Sequence, residues 1–155
     1  MKLLKTIVIF VVILGLVIMV FNHPPAVKYD HVSLNNKREV EIYFLSDKTD
    51  FGNAYNIACS LSDKTKYPNI FPEDGVAIYG KVIKKVGEGK FKASVYMDGF
   101  SKSGQYSVGK YDIERELNGA KKISCVIYQR GFFTWGSVTD PIDVPVQDLY
   151  SVMGW

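Results

Sequence analysis

The chain has 155 residues and a formal net charge of +3. It is 47% hydrophobic, with ten Tyr, nine Phe and two Trp but only two Cys and two His. That length suits one domain plus a terminal segment and is short for two domains. Lys2 and Lys5 supply two of the net positive charges, so the remainder is near neutral, which argues against a general nucleic-acid binder.

The first element is the uncharged run from Thr6 to Phe21. As a helix it spans roughly 24 Å at about 1.5 Å per residue. With Leu3 and Leu4 added and Lys5 reaching the headgroups, residues 3–21 come into range of a bilayer. A cleaved signal peptide has a shorter apolar core and a small-x-small cleavage site. Here Met19, Val20, Phe21 and Asn22 occupy the candidate cleavage region, and the first cysteine is Cys59, which excludes lipoprotein processing. Residues 1–22 therefore read as an uncleaved signal-anchor. Lys2, Lys5 and the terminal amine precede the span, which places the N-terminus in the cytoplasm and the bulk of the chain outside. Pro24 and Pro25 end the helix, and residues 23–36 read as a linker.

From residue 37 to 155 the dominant hydrophobic period is two. In "REVEIYFL", Val40, Ile42 and Phe44 share one face; in "YNIACSL" the inward set is Tyr55, Ile57, Cys59 and Leu61. "GVAIYGKVIKKV" is long and apolar enough for a central strand. After the turn "GEG", "KFKASVYM" returns with Phe91, Ala93, Val95 and Met97 on one face, so the two form a hairpin. "QYSVGKYDI" changes phase at Gly109, as a bulge or bend does. "KKISCVIYQ" aligns Ile123, Cys125 and Ile127; "FFTWGSV" and "IDVPV" follow, with Pro145 suited to an edge strand. About seven or eight short strands with turns between them predict an all-β, antiparallel sandwich.

Both cysteines fall on the apolar phase of their strands and so point into one core. Outside the cytoplasm they meet an oxidising compartment, which predicts an inter-sheet Cys59–Cys125 disulfide. Their spacing resembles the cysteine pair joining the second and sixth strands of immunoglobulin-like domains. That resemblance implies an immunoglobulin-like sandwich as the architecture. The chain departs from the pattern in having no Trp after Cys59 on the next strand, and Ile123 where the corner tyrosine stands.

Chemistry-bearing motifs are few. Gly104 to Tyr111 has phosphate-loop spacing, but Tyr111 stands where a magnesium-binding Ser or Thr is required. His23, His31 and Asp30 fall in the linker and make a poor metal site, so no metal or cofactor is expected. The disulfide leaves no cysteine nucleophile, and no G-x-S-x-G elbow is present. Acids at Glu73, Asp74, Asp112, Glu114 and Glu116 read as turn residues, and the chain is not expected to be an enzyme. Basic residues gather between 76 and 130, as a solvated strand face or a docking surface for an acidic partner or anionic headgroups. The strongest candidate site is "RGFFTWGSV". Phe132 and Phe133 point to opposite strand faces, so Arg130, Phe132, Phe133 and Trp135 cannot all be buried on one side and read as a partner-binding patch. Trp155 either packs back on the domain or meets the membrane interface.

The expectation is thus a single-pass protein of a bacterial inner membrane with a periplasmic protein-binding module. It would serve as an immunity or exclusion protein or as an accessory subunit of an envelope assembly. The alternatives are a small envelope enzyme that acts on glycans through two carboxylates, and a cleaved, secreted β-sandwich protein.

Overall fold

The computed structural model describes residue 11 and residues 25–48, 51, 55–61, 74–129 and 139–155. Val11 is helical and exposed; the rest of the expected span lies outside the described residues. Among the described residues no helix is long and apolar enough to cross a membrane.

Among the described residues from 25 onward, the fold is all-β with two short helices. The strands in chain order are β1 (Val27–Leu34), β2 (Val40–Ser46), β3 (Tyr55–Ser60), β4 (Gly75–Gly87), β5 (Lys90–Ser101), β6 (Gly104–Ser107), β7 (Lys122–Gln129) and β8 (Ile142–Pro145). Helix α1 is Lys110–Leu117 and helix α2 is Val146–Met153. All eight strands belong to one antiparallel sheet of order β1-β2-β5-β4-β3-β7-β8, with β6 beside the C-terminal half of β5. The sheet curls until β1 and β8 pack together, and α2 packs on both, so the barrel is nearly closed. Tyr29 on β1 donates a hydrogen bond to Asp148 on α2 at 2.6 Å across this seam.

This arrangement corrects the immunoglobulin-like expectation. A sandwich divides its strands between two facing sheets; here one hydrogen-bonded sheet turns on itself. Cys59 and Cys125 are bonded, S–S 2.04 Å, but they sit directly opposite each other on neighbouring strands β3 and β7, with Cα atoms 3.9 Å apart. Opposed residues of an antiparallel pair point to the same face, so two inward phases bring the sulfurs together within one sheet rather than between two. The bridge closes a sequence separation of 66 residues. On the chain-entropy estimate that stabilises the fold by about 4 kcal/mol.

The alternation placed the core correctly. Val40, Ile42, Phe44, Ile57, Phe91, Ala93, Val95, Ile123 and Ile127 are all at most 4% exposed. Phe51 stands edge-on to Phe44 and Phe91, with ring centroids 5.6 and 4.9 Å away. The long hairpin turns at Glu88–Gly89, where Gly89 has φ +63°. At Gly80 the sheet coils so tightly that a Cβ would lie 1.8 Å from the Ser94 carbonyl oxygen, so only glycine fits.

Two segments differ from the sequence reading. Val27–Leu34, within the expected linker 23–36, is strand β1, paired with β2 along its length. A bulge between Tyr29 and His31 shifts its phase, which interrupts the alternation that marks a strand. Residues 110–117, read as a bent strand and a turn, form α1. Ile113 and Leu117, four apart, bury its inner face, and the Gly109 amide donates to the Asp112 carboxylate at 3.0 Å. Asn118 in the left-handed region ends the helix. Trp155 packs back on the domain, its ring 6.0 Å from that of Tyr150.

Candidate docking face

Strand alternation sends one side chain inward and the next outward. Phe91, Ala93 and Val95 of β5 fill the barrel, so Lys92, Ser94, Tyr96 and Asp98 stand on its outer surface. Register then fixes their neighbours. Tyr43 and Glu41 of β2 lie opposite Lys92 and Ser94; Lys81 and Tyr79 of β4 lie opposite Ser94 and Tyr96. His31 of β1 lies opposite Tyr43, and the two rings stack with centroids 4.2 Å apart and planes 14° from parallel.

The centre of this face is a buried ion pair. Glu41 is 4% exposed. Lys92 Nζ lies 2.7 Å from its Oε1, and Tyr43 Oη donates to its Oε2 at 2.9 Å. Burial alone would raise the Glu41 carboxyl; hydrogen bonds from Lys92 and Tyr43, with the lysine charge, outweigh it and hold the group below its ordinary range. Lys92 is raised in turn, chiefly by its hydrogen bond to Glu41. Beside the pair, Ser94 Oγ is buried and has no hydrogen-bond partner among the described residues. Further along, Tyr79 Oη donates to Asp98, and that bond raises the Tyr79 phenol. The Tyr96 ring lies 6.4 Å from that of Tyr79 and is 50% exposed.

Glu41 already receives strong donors, so its carboxylate is a poor general base. The half-exposed Tyr96 ring offers apolar area and a hydroxyl at small entropic cost.

The residues expected to bind a partner, Arg130, Phe132, Phe133 and Trp135, lie outside the described residues. Their flanks are described: Gln129 ends β7, and the Thr139 amide donates to the Ile127 carbonyl at 3.0 Å. His31 stands on β1 rather than in a linker, with Nδ1 3.2 Å from Asp30; no cluster of three metal-ligating side chains occurs among the described residues. Asp112, Glu114 and Glu116 lie on α1 rather than in a turn, while Glu73 lies outside the described residues. The phosphate-loop spacing does lead into a helix, but the Asp112 carboxylate already caps its N-terminus. Tyr79 and Tyr96 were missed because the alternation that marked the β4–β5 hairpin was read for its inward face only, and Tyr43 reaches this face from the more distant β2.

Comparison with protein-family models, curated proteins and solved structures finds no match to this chain.

Proposed function

We propose that this chain is a membrane-tethered, extracytoplasmic protein-binding module whose barrel presents the outer face of β2, β5 and β4 to a protein partner. The observation that carries the reading is Tyr96, half exposed beside Tyr79 on the same outer strand face that carries the Glu41–Lys92 pair. An exposed aromatic ring held beside a second ring on a strand face is the composition of a binding hot spot. The bonded Cys59–Cys125 pair supports an oxidising compartment, and the apolar run Thr6–Phe21 supports the tether at an inner membrane. Arg130, Phe132, Phe133 and Trp135 belong to the same proposal as a second contact. An immunity or exclusion role, or a place in an envelope assembly, suits such a module; a neighbouring toxin gene favours the first and a run of assembly genes the second.

The test is in-cell photocrosslinking. A crosslinking amino acid in place of Tyr96, and another in place of Phe133, should trap the same partner. One in place of Tyr111, which is 75% exposed on α1, should not. Equal yields at all three positions, or none at Tyr96, would sink the docking face.

A further inference from the structure

We infer that the end of the barrel carrying the β4–β5 turn rests on the membrane surface and is held there by anionic phospholipid headgroups. The inference rests on the tethered reading above.

Chain length sets the first constraint. The apolar run ends at Phe21 and β1 begins at Val27. Residues 22–26 therefore reach at most about 18 Å fully extended. The last of them is already held: Ser46 Oγ donates to the Ala26 carbonyl at 2.9 Å. The backbone amide of the same serine donates to the Gly89 carbonyl at 2.9 Å. One residue thus joins the incoming chain to the tip of the long hairpin. An open recess between Ala26, Val27, Leu45, Ser46 and Gly89 marks the same place. Whatever lies at this tip lies near the bilayer.

Side-chain chemistry sets the second. Lys28, Lys85 and Lys90 are exposed at this end, and Val86, two residues before Glu88, is 44% exposed. Among the described residues the acids there are Asp47 and Glu88, with Asp30 two residues beyond Lys28, all exposed, and Lys48 is half-buried. The balance is cationic. A lysine close to an anionic leaflet contributes about 1 kcal/mol, and the field fades within roughly 8 Å at physiological salt. Only residues at this end can therefore use it. A valine between lysines suits the headgroup boundary, because the lysine stems lie along apolar surface while the ammonium groups stay in water. The opposite end, where Lys102 and Ser103 turn between β5 and β6, is a barrel length away.

The experiment uses the full chain in lipid nanodiscs. Val86→Cys carries an environment-sensitive fluorophore in one preparation and Lys102→Cys carries it in another; headgroup-labelled nitroxide lipids act as quencher. In discs containing phosphatidylglycerol, the label at 86 should be quenched several-fold more than the label at 102. The difference should shrink in pure phosphatidylcholine, in high salt, and on adding Lys28→Glu and Lys90→Glu. Equal quenching at both positions, or quenching at 86 that ignores lipid charge and salt, overturns the inference while leaving the tether intact. A chain that does not stay with the discs overturns the tether itself. Crosslinking at Tyr96 is read separately and survives either outcome.

Discussion

The two faces of strand β5 divide the molecule's work. Inward, Phe91, Ala93 and Val95 are sealed in the barrel; outward, one residue along, Lys92, Ser94 and Tyr96 form an ion pair, a buried hydroxyl and a half-exposed ring. The inner residues share a simple requirement, apolar volume, which many sequences satisfy. The outer residues depend on particular partners: Lys92 on Glu41, Glu41 on Tyr43, and Tyr43 on His31. A strand can therefore be interchangeable on one side and specific on the other, and function is best sought on the specific side.

That contrast can be broken in graded steps. The largest losses belong inside. Phe91→Ala should cost about 4 kcal/mol, because the ring packs against Phe44 and Phe51 and leaves a cavity. Cys59→Ser should cost a similar few kcal/mol; equilibrium unfolding in denaturant measures both. A Cys59→Ser variant as stable as the parent would argue that the bridge adds nothing to the packed barrel.

Lys92→Met should cost less, about 2 kcal/mol, since it leaves Glu41 uncompensated but Lys92 is itself 22% exposed. The pair also fixes a pH dependence. Glu41 is depressed in the fold, so its contribution is complete above the unfolded value near 4.3 and is lost as pH falls through the folded value. Lys92 is raised, so its contribution is complete below about 10.4 and is lost as pH climbs through its folded value. Glu41→Gln should therefore show a shallower loss of stability in acid than the parent, followed by thermal melting across pH. The smallest stability change belongs to Tyr96→Ala, within about 0.5 kcal/mol, yet it should abolish partner binding. A variant that melts like the parent and still binds would dissociate the exposed ring from function.

Much of the inner face was legible. Val40, Ile42 and Phe44, then Phe91, Ala93 and Val95, announce their strands by period alone, and Cys59 and Cys125 announce a shared interior by phase. The number of sheets was not legible, because phase says which way a side chain points and not which strand lies beside it. Strand β1 was hidden by its bulge at Asp30 and by exposed Lys28 and His31. Helix α1 was hidden because Gly109 serves equally as a bend in a strand or as a cap; Asp112 three residues on, and Asn118 followed by Gly119, were the signals that could have found it. The outer face of β2 and β5 was illegible for a deeper reason. Glu41 and Lys92 are adjacent only after β2 and β5 have paired in one register, and no local pattern records that.

The disulfide has a consequence for how the chain reaches its native form. Cys59 faces Cys125 in only one register of β3 against β7; a slip by one residue would turn either cysteine to the outside, and a slip by two would part the sulfurs by a full repeat. Disulfide formation is therefore possible only in the native register. Because everything from β4 to α1 lies within the covalent loop, the bridge also keeps neighbouring strands β3 and β7 joined however the chain between them moves.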